Sequence, residues 1–203
     1  MLLQIDIDST LYNSNTLFSI IAKEQGIKNW PENYYKWFNA EDIKLNNNTI
    51  SNIFRKAHSR EYVLKNKPYK NAAKVLKGIA DDYEDIELAY ISDRNEQQGT
   101  ALREWLEQEG FLVDENQHVA ATKDKRHWMR EARPEIVIDD RVRTILMARY
   151  ELGAQVVSLE HNHNCNLIGE VNGIYIVPDW NEIDNVLRTI VIPEIQNKKL
   201  SRV

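Results

Sequence analysis

The sequence predicts an α/β fold in which a parallel sheet is covered by helices on both faces. Two observations predict it. Short, nearly continuous apolar runs alternate along the chain with segments of helical period, and several of those runs end abruptly in acidic or hydroxyl residues. Strands buried on both faces read as apolar runs of this kind, and parallel neighbours require the intervening helices.

Each element has its own warrant. Leu2, Leu3, Ile5 and Ile7 lead into Asp8-Ser9-Thr10, a buried strand emerging into a polar loop. Leu17, Phe18, Ile20, Ile21 and Ala22 then repeat with a helical period, with Gly26 as the stop. Through about Lys67, the apolar residues Trp30, Tyr34, Tyr35, Trp37, Phe38, Ile43, Ile50, Ile53 and Phe54 are separated by polar stretches such as Asn46-Asn47-Asn48, which predicts short helices. After Pro68, residues 71–83 are helical in pattern and 86–91 form a strand ending at Ser92-Asp93. A helix over 99–110 closes on Gly110, a short strand follows at 119–121, and a helix spans 125–132. Residues 135–138 are a strand stopped by Asp139-Asp140, 144–153 a helix and 155–159 a strand. One more strand, 174–177, and a helix over 180–190 complete the pattern. Trp105 and Trp128 fall on helices as core residues.

Composition narrows the class. At 203 residues, one domain carrying an insertion is the simpler organisation, and 42% hydrophobic with 28% charged residues is ordinary for a globular chain. A net charge of −5 does not draw in a phosphate backbone at long range, so a small phosphorylated substrate suits it better than a polyanion. With the single cysteine Cys165 no internal disulfide forms, and a reducing cytoplasm is the expected compartment. The first residues lack the basic stretch and apolar run of a signal peptide, and no run of about 18 apolar residues suggests a membrane span.

In open α/β sheets ligands sit beyond the carboxyl ends of the strands. That filter selects Asp6 and Asp8 after the first strand, Ser92, Asp93 and Arg94 after the second, and Asp139, Asp140 and Arg141 after a third, with Lys123 and Lys125 opening the preceding helix. Carboxylates gathered this way repel one another unless a hard cation joins them, and magnesium with oxygen ligands answers that need. Asp6 is then placed to attack phosphorus as a carboxylate nucleophile, and Asp8 to protonate the leaving oxygen and later activate water. Ser92 donates to a phosphate oxygen, and a lysine from 123–125 neutralises the transferring group.

Asp6-Ile7-Asp8-Ser9-Thr10 resembles the Asp-x-Asp-x-Thr first motif of the haloacid dehalogenase superfamily. Ile91-Ser92 is similar to its second motif, Lys125 to its third, and Ile138-Asp139-Asp140 to its fourth. The resemblance implies a Rossmann-like core, Asp6 as nucleophile, Asp8 as acid/base, Lys125 as the catalytic lysine, and Mg2+ held by Asp6, Asp8 and Asp139 with Asp140 beside them. Thr10, Ser92, Asp93, Arg94 and Lys123 become substrate-side residues. Ser9 stands where the family usually has glycine, which asks for a different backbone at that turn.

Residues 122–126, Thr-Lys-Asp-Lys-Arg, followed by Ile136 to Arg141, resemble the 5′(3′)-deoxyribonucleotidases. Ser92-Asp93-Arg94 with Ile138 to Arg141, Met147, Arg149 and Gly153 resembles the 3′-phosphatase domain of phage polynucleotide kinase. The two resemblances imply different substrates, a nucleoside monophosphate or a nucleic-acid end. They cover residues 1–13 and 70–160. An insertion after the first motif is, in this superfamily, a cap that closes over the site, so the expected organisation is a core of 1–13 and 70–203 with a small helical cap at 14–69. A roofed pocket favours the nucleotide. The alternatives are the polynucleotide 3′-phosphatase and a non-catalytic binding protein of the same fold.

Other features have plainer readings. Trp30, Tyr34, Tyr35, Trp37 and Phe38 could stack on a base, but aromatics at helical spacing usually pack a small core. Arg55, Lys56 and Arg60 suit a solvated helix face. His161, Asn162, His163, Asn164 and Cys165 lack the paired spacing of a zinc set and fit a polar loop.

Overall fold

The computed structural model describes residues 1–28, 30, 46–113, 118–167 and 171–201. Six strands, β1 (Leu2–Ile5), β2 (Glu87–Ser92), β3 (His118–Ala121), β4 (Ile136–Ile138), β5 (Gln155–Leu159) and β6 (Ile174–Val177), form one sheet. Its order is β3-β2-β1-β4-β5-β6, with every described pairing parallel. The order reverses direction between β1 and β4, where Ile5 pairs with Ile138. Loops diverge at such a switch point and leave a crevice above the strand ends. The residues that follow Ile5 and Ile138 therefore face each other.

Period-two alternation divides the sheet's side chains between two cores. Leu3, Ile5, Leu88, Tyr90, Ile136, Ile138, Val157 and Leu159 pack with α4 (Ala72–Asp82), α5 (Gly99–Gln108) and the C-terminal helices. Val137 and Val156 face the other way, with Met129 of α6 (Lys125–Ala132) and Ile145, Met147 and Ala148 of α7 (Val142–Tyr150). Trp105 is fully buried, and Trp128 packs partly buried on the second core, as the sequence predicts for both.

The chain leaves the sheet after β1 into α1 (Ser14–Glu24), α2 (Asn47–Ala57) and the short α3 (Arg60–Val63). These bury a separate cluster: Leu17, Phe18, Ile21, Ala22, Trp30, Ile53, Ala57 and Tyr62. Trp30 is core, with its ring centroid 6.3 Å from that of Phe18. Tyr34, Tyr35, Trp37, Phe38 and Ile43 lie outside the described residues. Asn13 caps α1, its side chain accepting from the Asn15 and Thr16 amides. Asn46 caps α2 in the same way, so the asparagine run that reads as a separator is where a helix begins. Departure and return are paired: Tyr12 bridges to Pro68, and the Tyr69 amide donates to the Leu11 carbonyl at 2.7 Å.

The last helix outruns its expected end at 190. It continues as α8 (Trp180–Val186), a wide turn (Leu187–Val191) and α9 (Ile192–Leu200). In the wide turn the Ile192 amide donates to Leu187, five residues back. One extra residue is thus accommodated just before Pro193, which has no N–H to give and whose ring would clash with an ordinary preceding turn. Among the described residues no helix is long and apolar enough to cross a membrane.

Candidate active site

Asp6 follows β1 directly, and its amide is fixed to the Ile138 carbonyl at 2.8 Å. Asp139 and Asp140 follow β4. Lys125 is the first residue of α6, which is capped by the Asp124 side chain accepting from the His127 amide. From there Lys125 Nζ donates to Asp6 Oδ1 and, at 2.6 Å, to Asp139 Oδ2. The other oxygen of Asp139 accepts from the Arg141 amide at 2.9 Å, and Thr10 Oγ1 is 3.5 Å from Asp6 Oδ2. Lys123 lies two residues earlier, before the helix cap, and is exposed. The structure therefore brings Lys125 and not Lys123 into the cluster.

Asp6, Asp139 and Asp140 are all buried and each offers an oxygen within 4.8 Å of the others. Among the described residues neither carboxylate oxygen of Asp140 accepts a hydrogen bond, though His163 Nε2 is 3.1 Å from Oδ2. Burial drives the Asp6 carboxyl well above the usual carboxylate range; Lys125 pulls it down, but Asp139 and Asp140 push it up further. Among the described residues, the five carboxyl groups of Asp6, Asp8, Asp93, Asp139 and Asp140 meet three cations, Lys125, Arg94 and Arg141, an excess of two carboxyl groups. An all-oxygen donor set, an under-coordinated buried carboxylate and that excess fit a hard divalent cation such as Mg2+.

The Asp8 carboxylate turns the other way. Arg94 grips both its oxygens, Nε at 2.9 Å and Nη2 on the other oxygen, while Ser92 Oγ donates at 2.8 Å and Tyr12 Oη at 2.5 Å. Burial alone would raise the Asp8 carboxyl; the Arg94 charge and hydrogen bonds overcome it and hold the group far below the usual range. Arg94 is itself buried, also donates to Tyr12 Oη, and has one nitrogen, Nη1, without an acceptor among the described residues. Asp93 is exposed and pairs with Arg141 Nη1 at 2.6 Å.

Three participants escaped sequence reasoning. Tyr12 sits four residues after Asp8, a spacing that carries no signal outside a helix. His58 ends α2 and is electrostatically coupled to Arg94, Asp8 and Arg141; burial first, then the two arginines, push its ring down to about 4. Asn164 is fully buried and donates to the Asp140 carbonyl, while His161 and His163 reach the Ser9 and Asp140 carbonyls. The polar loop expected at 161–165 thus leans on two of the site's loops. Ser9 adopts φ 62°, the left-handed conformation that glycine enters freely.

No protein-family model and no curated protein sequence matches the chain. Solved structures do. A haloacid dehalogenase-like hydrolase from Streptococcus pneumoniae superposes with a TM-score of 0.60 at 16% identity, covering 86% of this chain and 92% of that one. L-2-haloacid dehalogenase from Xanthobacter autotrophicus, with chloropropionic acid covalently bound, gives 0.56 at 11% identity over 93% and 98%. A haloacid dehalogenase-type hydrolase of family IA from Entamoeba histolytica gives 0.54 at 14% over 89% and 93%. The six-stranded parallel sheet, its strand order and its helical layers are those of the haloacid dehalogenase-like fold.

Proposed function

We propose that this chain is a magnesium-dependent phosphomonoester hydrolase that works through an aspartyl-phosphate on Asp6. The observation that carries the reading is the buried cluster in which Lys125 bridges Asp6 and Asp139 while Asp140 keeps unsatisfied oxygens within 4.8 Å. Asp6, Asp139 and Asp140 are the residues that would hold Mg2+; the Asp8 carboxylate, expected among the ligands, is instead bound by Arg94, Ser92 and Tyr12. When bound, the ion would neutralise charge at a phosphate brought against three carboxylates and keep Asp6 ionised despite the burial and neighbouring acids that raise its carboxyl.

In the first step an Asp6 oxygen attacks phosphorus, with Lys125 neutralising nucleophile and phosphoryl group together. Ser92 and Arg94 are placed to pass from the Asp8 carboxylate to phosphate oxygens, and Arg94 Nη1 is a buried donor waiting for an acceptor. Asp8, relieved of those donors and no longer held ionised by them, takes a proton from solvent and gives it to the leaving oxygen; ionised again, it takes the proton of the water that opens the aspartyl-phosphate. Thr10, Asp93 and Arg141 complete the substrate side.

We assign residues 14–69 as the cap. It has its own apolar cluster and brings His58 towards Asp8 and Arg94. A cap carrying a neutral imidazole over the phosphate site suits a small substrate, so we rank a 5′(3′)-nucleotidase acting on (deoxy)nucleoside monophosphates first. A polynucleotide 3′-phosphatase comes second, on the motif Ser92-Asp93-Arg94. Phosphate release should require Mg2+ and be abolished by Asp6→Asn. Hydrolysis of 5′- and 3′-nucleoside monophosphates, compared with a 3′-phosphorylated oligonucleotide, decides the substrate; preference for the oligonucleotide reverses our ranking. Equal inertness of wild type and Asp6→Asn over a broad phosphate panel would leave a binding protein of the same fold.

A further inference from the structure

The loop after β5 does more than close a turn. The Asn164 side chain is completely buried; its Nδ2 reaches the Leu159 carbonyl at 2.8 Å, Ser158 Oγ at 3.0 Å and the Asp140 carbonyl at 3.2 Å. Its Oδ1 accepts the His161 amide at 2.8 Å. That organises two parallel imidazoles, stacked with centroids 5.2 Å apart and 9° between planes. His161 Nε2 lies 2.9 Å from the Ser9 carbonyl and His163 Nε2 2.9 Å from the Asp140 carbonyl. A carbonyl only accepts, so both rings carry their proton on Nε2. Beyond the bonds within its own segment, Asn164 and the two rings also cross to the loops that follow β1 and β4.

We propose that His161, His163 and Asn164 are positioning residues that staple the Ser9 and Asp140 loops together and so hold Asp6, Asp139 and Asp140 in readiness for a divalent cation. The proposal rests on reading those three acids as the metal cage. Its physical reason is repulsion: three buried carboxylates within 4.8 Å drive their loops apart, and Lys125 offsets this only for Asp6 and Asp139. Asp140 has no such partner, and it is Asp140 whose carbonyl takes two of the staple's donors, with His163 Nε2 also 3.1 Å from its carboxylate. Ser9 is held in its left-handed turn from the same side. Trp180 Nε1 adds a further crossing bond to the Thr10 carbonyl at 3.1 Å. Outer partners of this kind set the orientation of metal ligands, and their loss typically weakens metal affinity about 10–100-fold.

The test is calorimetric titration of Mg2+ into substrate-free protein, with thermal unfolding in chelator as the control for folding. His163→Leu should weaken Mg2+ binding by about 10–100-fold, and His163→Gln, which keeps a donor near Nε2, should recover most of it. The Mg2+ concentration for half-maximal phosphate release should rise in parallel while kcat at saturating Mg2+ holds. His161→Leu cuts the other arm and should weaken binding likewise; it stands in if His163→Leu does not fold. Wild-type affinity in these leucine variants overturns the staple and leaves the cage intact. Failure of the wild type to bind Mg2+ overturns the cage reading itself.

Discussion

Ser9 shows what one residue can cost and why it is tolerated. A side chain at φ 62° is strained, and its buried hydroxyl has no hydrogen-bond partner among the described residues. Ser9→Gly should therefore raise stability by about 1 kcal/mol, a rise in Tm of about 2–4 °C readable by thermal unfolding. His58 yields a pH prediction. Its ring takes up a proton near 6.5 when unfolded but only near 4 when folded. Between those values the unfolded state binds more protons, so stability falls as pH drops from 6.5 towards 4, by on the order of 3 kcal/mol at full extent. Denaturant titrations across this window should show the loss in wild type and a flatter profile in His58→Gln. Asp6, Asp139 and Asp140 were legible in the sequence because each follows an apolar run that is recognisably a strand. The grip of Arg94 on Asp8 was not. It joins loops after β1 and β2, and no local pattern encodes which strands become neighbours.

Between elements, α3 and the residues after it are fastened to α5. Arg60 pairs with Glu104, Lys67 with Glu109, Gln108 donates to the Leu64 carbonyl at 3.1 Å, and the buried Trp105 indole donates to the Asn66 carbonyl at 3.0 Å. The contacts differ in worth. Arg60 and Glu104 are 67% and 40% exposed, so Glu104→Gln should cost less than about 1 kcal/mol. Trp105→Phe strands a buried carbonyl and should cost more than about 1 kcal/mol, both values from urea unfolding. Periodicity located the helices well but not their ends. Asn46-Asn47-Asn48 reads as a break because asparagine disfavours helix interiors, yet it is that same competition for backbone amides that makes Asn46 a cap. The extension past 190 was hidden by Pro193, which ordinarily ends a helix and here follows a turn widened by one residue.

At the scale of the molecule, the alternation of strands and helices made the parallel sheet legible, while its order β3-β2-β1-β4-β5-β6 was not, since many orders satisfy the same alternation. That order makes β1 and β4 neighbours and so creates the excess of carboxylate at the crevice. A cation that binds only the folded cage should therefore stabilise the whole chain. At about 100 times its dissociation constant the gain is about 2.7 kcal/mol, seen as a Tm increase on adding Mg2+ that chelator reverses and Asp6→Asn diminishes. The pairing of Tyr12 with Pro68 and of Tyr69 with Leu11 has a different consequence. The chain thus leaves the core and rejoins it at two points that already lie side by side. A segment of different length can be joined at those two adjacent points without rerouting any strand, so replacing the intervening residues by a short linker should leave the sheet folded, as circular dichroism and thermal unfolding would read.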